Sequence, residues 1–406
     1  YLIADRNRGY PAEFVEPAAY TFAVNGFDRW NYYSVGYPEG CCVLGCPEIL
    51  KAIRRANLTV GAVEERLADT DVAPAKVALG WSLSSDVWDV AKPAPEPEWL
   101  RPGATVYAGE RAYLYLLLRR LQAPVDILSE ADLTDGYLDR YSVYVLVGGH
   151  IRPEAAEALK QWVAKGGVLI SVAGGGFLDH YNRPLETLKE VFGVESANLE
   201  KRAESLRPKL ELMRAPPMDT LTLASGAGSM PVVGWRQTLK VSTGKAVASF
   251  GGGAVGAALN ACGKGKALII GALPGHASLV GSFPMLPFGR GGEDLSSILF
   301  PDYNSDVHRF MAALLADLLP PTPVTVSDPH VEAWLLKNRR SGAWSVGLVN
   351  FTRKPVDKLQ VRVAAKLLGA PLTTAASPFQ KVASRVDGAD LVVDMSVDKI
   401  EFLELR

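Results

Sequence analysis

Apolar residues recur along the chain in two rhythms, and the change between them marks its organisation. Up to about residue 320, short apolar runs alternate with helical stripes; beyond it the rhythm has period two. The chain opens on a strand, Tyr1 to Ala4, with a polar turn at Asp5 to Gly9. The pattern predicts a helix over about Glu16 to Asn25, with an acid and a proline at its start, where the macrodipole favours one and the unneeded N–H tolerates the other. Gly26 ends it. A second strand over about Asp28 to Ser34 and a helix over about Pro47 to Asn57 complete a β-α-β-α order. Two βα units cannot close a barrel, which needs eight; they fit the last two units of one whose other six lie upstream of Tyr1. A helix over about Val60 to Ala68 then leads through Asp69 to Pro74 into new territory.

A second series begins at Lys76. Val77 to Trp81 is a short apolar strand, and a loop carrying Pro93, Pro95, Pro97 and Pro102 leads to a helix over about Glu110 to Gln122. Tyr113, Leu114, Leu117, Leu118 and Leu121 form its buried stripe. Strands follow at Val125 to Leu128 and Val143 to Val147, the second a continuous apolar run of the kind parallel sheets bury on both faces. Pro153 opens a helix with Ala156, Leu159, Trp162 and Val163 on one face, Gly166 and Gly167 stop it, and Val168 to Val172 is the next strand. Ala267 to Gly271 returns to the same sheet after an irregular, Gly-rich excursion from about Ala197 to Gly265. A helix over about Val307 to Leu318 precedes a linker at Pro320, Pro321 and Pro323. Beyond it, alternation through Trp334 and Leu336, a turn at Arg340 to Gly342, and further runs at Val346 to Asn350, Leu359 to Val363, Leu391 to Val393 and Ile400 to Leu405 predict a small antiparallel sandwich. The expected fold class is α/β: a partial (β/α) barrel end at residues 1–72, a flavodoxin-like doubly wound parallel sheet at 73–322, and a C-terminal antiparallel β-sandwich at 323–406.

Composition narrows the function classes. With 406 residues and 48% of them hydrophobic, there is enough apolar material for a core in each part. A net charge of -1, with both signs intermixed, provides no field to gather nucleic acid or an anionic membrane, so neither is expected as a partner. No apolar run reaches the roughly 18 residues that span a bilayer, and YLIADRNRG lacks the order of a signal peptide, so the compartment stays open. Four cysteines are too few for a disulfide scaffold, although Cys41, Cys42 and Cys46 crowd one loop.

The run VLVGGHIRPEAAEALKQWVAKGGVLISVAGGGF, Val145 to Phe177, resembles the strand, loop, helix, strand and elbow of class I glutamine amidotransferase-like domains. Active members place a nucleophilic Cys in a G-x-C-x-G elbow. Here the corresponding residues are Ser171, Val172, Ala173, Gly174 and Gly175, and a methyl group cannot attack a carbonyl. The resemblance therefore implies an inactive domain whose glycines turn the chain at a strand end. Such domains are known in family 42 β-galactosidases and their relatives, where they follow the catalytic barrel, hold subunits in a trimer, and precede a small β-sandwich. The order of parts here is similar, and AYTFAVNGFDRWNYYSVG, KVALGWSLSSDVWD, GKGKALIIGALPG and VEAWLLKNRRSGAWSVGLVNFT carry the likeness in sequence. It implies the C-terminal portion of a glycoside hydrolase acting on a β-linked sugar, with a carbohydrate substrate and a homo-oligomeric, trimeric assembly. The alternative is a non-catalytic carbohydrate-binding or oligomerisation protein on an inactive amidotransferase-like domain.

Residues at the C-terminal ends of barrel strands face an active site, which makes Trp30, Tyr32 and Tyr33 candidate sugar platforms. Core packing in an aromatic-rich strand accounts for them equally simply. Asp5 and Arg6 follow the preceding strand. Retaining glycosidases need two carboxylates about 5 to 5.5 Å apart. By the resemblance the acid/base Glu lies on an upstream strand, and Asp5 is the one catalytic candidate here, although the family pattern favours Glu and a turn Asp needs no such role. Glu13 and Glu16 are alternatives. Cys41, Cys42 and Cys46 have a C-C-x₃-C spacing without the C-x₂-C pair of most zinc sites, leaving metal, disulfide and free thiols open. Ser84, Ser85, Asp86 and Trp88 follow the first strand of the second series, at the edge where open sheets bind ligands, and Trp88 is a candidate wall of a sugar site. His150 and His180 read as loop or core histidines. The Gly-Lys stretch at Gly263 to Lys266 lacks the phosphate-loop spacing, and no G-x-G-x-x-G follows the first strand, so no cofactor is expected.

Overall fold

The computed structural model describes residues 2–3, 12–27, 29–33, 47–90, 106–202, 217–280, 304–352 and 354–406. Asp5, Arg6, Cys41, Cys42, Cys46, the polar turn after the first strand and the Pro-rich loop lie outside the described residues. The chain divides into two compact units, one built mainly from Tyr1–Pro74 and Pro321–Arg406, the other from Ala75–Ser282 and Pro301–Pro320.

The first unit begins with β1 (Leu2–Ile3), α1 (Ala12–Val24), β2 (Tyr32–Tyr33), α2 (Pro47–Gly61), α3 (Glu64–Leu67) and β3 (Thr70–Val72). β1 and β2 are parallel, Leu2 opposite Tyr32 and Ile3 opposite Tyr33, as consecutive βα units require. α1 starts before the expected Glu16, so Glu16 and Pro17 lie inside the helix. Tertiary ion pairing rather than the macrodipole accounts for Glu16: it is buried, and its carboxylate takes Arg55 of α2 at 3.3 Å and Lys399 at 3.2 Å.

The second unit runs through β4 (Val77–Trp81), α4 (Leu83–Val90), α5 (Val106–Arg120), β5 (Val125–Ser129), β6 (Val143–Leu146), α6 (Pro153–Lys165), β7 (Val168–Ser171) and α7 (Thr187–Phe192). There follow β8 (Val194–Lys201), β9 (Asp219–Leu223), β10 (Ser229–Val232), β11 (Trp235–Val241), β12 (Lys245–Phe250), β13 (Val255–Cys262), β14 (Gly265–Ile270), α8 (Pro274–Ala277) and α9 (Ser305–Leu315). Nine strands form one sheet in the order β10-β9-β12-β13-β14-β7-β6-β4-β5. Its parallel part, β5-β4-β6-β7-β14, reads 2-1-3-4-5 in order of appearance, the flavodoxin arrangement. The strands alternate faces. Val77, Leu79 and Val145 meet the Leu114, Leu117 and Leu118 stripe of α5, while Ala78, Tyr144 and Leu146 meet Ala155, Leu159 and Trp162 of α6. Gly80 lets the strands close up there, since a Cβ would sit 2.3 Å from the Tyr144 hydroxyl.

Within the stretch expected to be irregular, about Ala197 to Gly265, the described residues are instead mostly antiparallel strand, extending the sheet through β9, β10, β12 and β13 and forming a separate β8–β11 ribbon. Glycines at positive φ, Gly226, Gly253 and Gly263, make the turns that the sequence shows as a Gly-rich excursion.

The first unit resumes with β15 (Val324–Val326), β16 (Val331–Asn338), β17 (Trp344–Asn350), β18 (Val356–Ala364), α10 (Ala365–Leu368), β19 (Ala375–Ala376), β20 (Ala383–Asp387), β21 (Asp390–Val397) and β22 (Ile400–Leu405). Two antiparallel sheets, β15-β18-β21-β20 and β19-β22-β17-β16-β3, enclose Val346, Leu348, Val361, Val363, Leu391, Val393 and Leu403. The edge strand β3 comes from the N-terminal segment, Val72 lying opposite Leu336. The other face of that sheet is covered by α1: Tyr20 and Val24 share a core with Trp334, Val349 and Phe402, and Tyr20 donates to the Glu401 carbonyl at 3.1 Å.

Candidate functional site

At the barrel-like end, Tyr32 packs beside Val15, Ile49 and Ala52 of α1 and α2, and its hydroxyl donates to Asn57 Oδ1 at 2.9 Å. Burial raises the pKa of this phenol, and a hydrogen bond with Trp30 opposes the rise. Trp30 packs against Ala19 and Ala56. Both aromatics thus seat β2 on its helices. Tyr33 is placed by its backbone register alone, opposite Ile3.

In the second unit, the topological switch point falls between β4 and β6, where a flavodoxin-ordered sheet opens a crevice. Here that crevice is filled. Ser84, Ser85, Asp86 and Trp88, expected at the edge after the first strand, lie on α4, which begins directly after that strand. Ser85 Oγ donates to the His150 carbonyl at 2.8 Å and accepts the His150 N–H at 3.0 Å. Gly148 makes this approach possible, because a Cβ there would lie 2.1 Å from that oxygen. The buried Glu130 carboxylate receives the Ser82 hydroxyl, the Ser84 hydroxyl at 2.9 Å and the Ser84 N–H at 3.3 Å, with the Arg152 guanidinium at 3.8 Å. A buried carboxylate with this many donors is a satisfied structural group.

His150 stacks on Trp88, ring centroids 5.7 Å apart and planes 13° from parallel, and its Nε2 pairs with Asn182 Oδ1 at 2.9 Å. Burial lowers its pKa, so the imidazole is neutral near pH 7. Trp88 Nε1 donates to the His180 carbonyl at 3.1 Å, and the indole remains partly exposed. On the same edge Trp81, the last residue of β4, donates from Nε1 to Asp86 Oδ2 at 2.8 Å. Arg111 closes a fork on Asp86 with bonds of 3.3 and 2.9 Å, its guanidinium 5.8 Å from the Trp81 ring.

The elbow is sealed. Ala173 is fully buried and donates its N–H to the Ala272 carbonyl at 3.0 Å. The next backbone N–H, that of Gly174, is the group that serves an oxyanion beside an elbow nucleophile. It is occupied by Gln237 Oε1 at 2.8 Å. Tyr107 packs over the turn: a Cβ on Gly174 would meet its hydroxyl at 2.2 Å. Neither a nucleophile nor a free oxyanion donor remains there, so acyl-transfer chemistry has no agent at this elbow.

Sequence reasoning missed Trp81, Glu130, Arg111 and Gln237. Trp81 stands inside the KVALGWSLSSDVWD run but with nothing to mark a role, and Glu130, Arg111 and Gln237 come to their partners through tertiary contacts that a single sequence does not print. Among the described residues, no three His, Cys, Asp or Glu side chains gather as a metal centre would need.

No family model and no curated protein matches this chain. Solved structures do. A catalytic mutant of a family GH42 β-galactosidase from G. stearothermophilus superposes with a TM-score of 0.64 at 15% identity, covering 98% of this chain and 51% of its own. The β-galactosidase from Bacillus circulans sp. alkalophilus gives 0.64 at 14% identity, covering 96% and 51%. The α-L-fucosidase isoenzyme 2 from Paenibacillus thiaminolyticus gives 0.61 at 12% identity, covering 98% and 58%. At such identities the likeness is one of fold, and it extends over nearly the whole of this chain. The chain spans only about half the length of these three structures.

Proposed function

We propose that this chain is the C-terminal portion of a glycoside hydrolase of β-galactosidase type, with residues 1–72 closing a (β/α)₈ barrel, 73–322 forming an amidotransferase-like scaffold and 323–406 a β-sandwich. The observation that carries the reading is the fold likeness to glycosidases across 98% of the chain. The parallel β1–β2 pair and the sealed Ala173 elbow support it: the first is what a barrel end provides, and the second leaves the scaffold without thiol chemistry. The catalytic carboxylates are proposed to come mainly from the barrel, with Asp5 the candidate within this chain. Arg6 and Tyr33 are proposed to face the sugar from the barrel mouth, and Trp30 and Tyr32 to set the position of the strand that carries Tyr33. The chain is proposed to work as a homotrimer in which the edge carrying Trp88 walls a sugar site.

The test is a panel of nitrophenyl glycosides offered to a version of the protein extended upstream to eight βα units. The expected outcome is hydrolysis of the β-galactoside in preference to the β-glucoside and the α-L-fucoside. No turnover of any member would sink the reading and leave the non-catalytic carbohydrate-binding protein as its replacement.

A further inference from the structure

We infer that Trp81, Asp86 and Arg111 form a carbohydrate-binding platform on the second unit, able to hold a pyranose ring without any contribution from the barrel. The inference rests on the carbohydrate reading above and adds a site to it.

The indole of Trp81 is exposed and nevertheless fixed. Trp81 keeps 48% of its surface in water, although an indole is among the most favourable side chains to bury. An exposed side chain with no partner ordinarily keeps its rotamer freedom. This one does not: its backbone is paired in the sheet opposite Ser129, and its Nε1–H is committed to Asp86 at 2.8 Å. Asp86 is in turn held by the two-bond fork from Arg111, whose side chain is only 15% exposed. Ordering a large apolar side chain while leaving it wet costs entropy and returns little burial. The arrangement gains when a ligand meets the ring, because the ordering cost has already been met in the free protein.

The chemistry of the rim selects the ligand. The indole N–H is satisfied internally, so what the exposed half of the ring offers outward is π surface, with the Arg111 guanidinium 5.8 Å from its centroid. Beside that surface lie a carboxylate with spare lone pairs and a guanidinium with N–H groups beyond those bound to Asp86. A pyranose supplies the complement: C–H groups on one face to stack, and hydroxyls at the edge that both donate and accept. Trp and Arg also favour protein interfaces, but docking there would strip water from the Asp86–Arg111 pair at a cost, so self-association is the competing outcome that the test below separates. Leu83 and Val87 are also exposed on α4, the helix that carries Asp86.

The test uses this chain as it stands, with methyl β-galactoside and lactose as probes in saturation-transfer NMR and titration of tryptophan fluorescence. Binding on the order of millimolar is expected, as for a single shallow stacking site. Trp81→Ala should weaken it by roughly tenfold or more, Trp81→Phe should retain most of it, and Asp86→Asn should weaken it several-fold with unchanged near-ultraviolet circular dichroism. Absence of saturation transfer with either sugar overturns the inference, and so does binding that Trp81→Ala leaves intact. If sedimentation shows that Trp81→Ala abolishes self-association while sugar affinity is unmoved, the face is a protein contact and the inference fails. Because no hydrolysis is measured, its failure is distinct from failure of the glycosidase reading, which the nitrophenyl panel decides.

Discussion

Ala173 is fully buried, and the N–H that follows it is already bonded to Gln237. Returning a thiol to that position therefore does not restore a reactive site: Ala173→Cys is expected to show no glutamine hydrolysis, measured as ammonia release, and turnover above buffer would contradict the sealed-elbow account. Gly174 holds φ at 114° with the Tyr107 hydroxyl where a Cβ would go. Gly174→Ala should lower stability by about 2 kcal/mol or more, read from a denaturant midpoint. The missing nucleophile was legible in the sequence because it depends on one residue inside a contiguous motif. Gln237 was not, since it lies far along the chain and reaches Gly174 only once β11 is placed. For the aromatic run around Trp30 the sequence left core packing and a sugar platform both open, because which side of β2 a ring takes depends on where α1 and α2 lie.

Among the elements, α5 and the turn into α8 are joined by a buried carboxylate. Glu110 accepts the N–H groups of Gly275 and His276 at 2.8 and 2.9 Å, and burial, only partly offset by those bonds, raises its pKa from 4.5 to about 7. Its neighbour His276 is displaced the other way: burial lowers its pKa to about 4, against a bond to the Val106 carbonyl that works to raise it. For Glu110 the folded state holds its proton more tightly, so its contribution to stability is full below pH 4.5 and is lost as pH rises through 7, by about 3 kcal/mol. For His276 the folded state holds its proton less tightly, so stability is full above about pH 6.5 and falls as pH drops towards 4. The two trends oppose each other between, and Glu110→Gln separates them. Its stability relative to the parent should improve steadily from pH 4.5 to 8 in thermal melts; a pH-independent difference would contradict the assignment.

The parallel strands and the longer helices α1, α2, α5, α6 and α9 were legible to within a few residues because their apolar stripes are local. The short helices α4, α7 and α8 were not, and the helix expected over about Val60 to Ala68 is divided between the end of α2 and α3. The strands between Ala197 and Gly265 were not, because their pairing depends on neighbours distant in sequence and their alternation is broken by turn glycines. A second prediction concerns the packing of α1 on its sheet. Gly347 lies under Val24, where an added Cβ would stand 2.5 Å from a valine methyl carbon. Gly347→Ala should cost about 1 to 3 kcal/mol, read as a lowered Tm, whereas Gly342→Ala is a poor control because its φ is 72°.

At the scale of the molecule, the change in hydrophobic rhythm near residue 320 coincides with the passage from the second unit back to the first between Pro320 and Pro321. The way the first unit closes on itself was not: β3 adds an edge to β16, and Tyr20 reaches Glu401 across nearly the whole sequence. No helix among the described residues is long and apolar enough to cross a membrane. On the proposed function, the chemistry lies in a barrel of which this chain holds the end, and the flavodoxin-ordered sheet is scaffolding. Hydrolysis of nitrophenyl β-galactoside, compared at equal molarity between the chain beginning at Tyr1 and a version extended upstream to a complete barrel, tests this most directly. The account predicts turnover by the extended protein and none by the shorter chain; turnover by the shorter chain alone, at a rate matching the longer one, would contradict it.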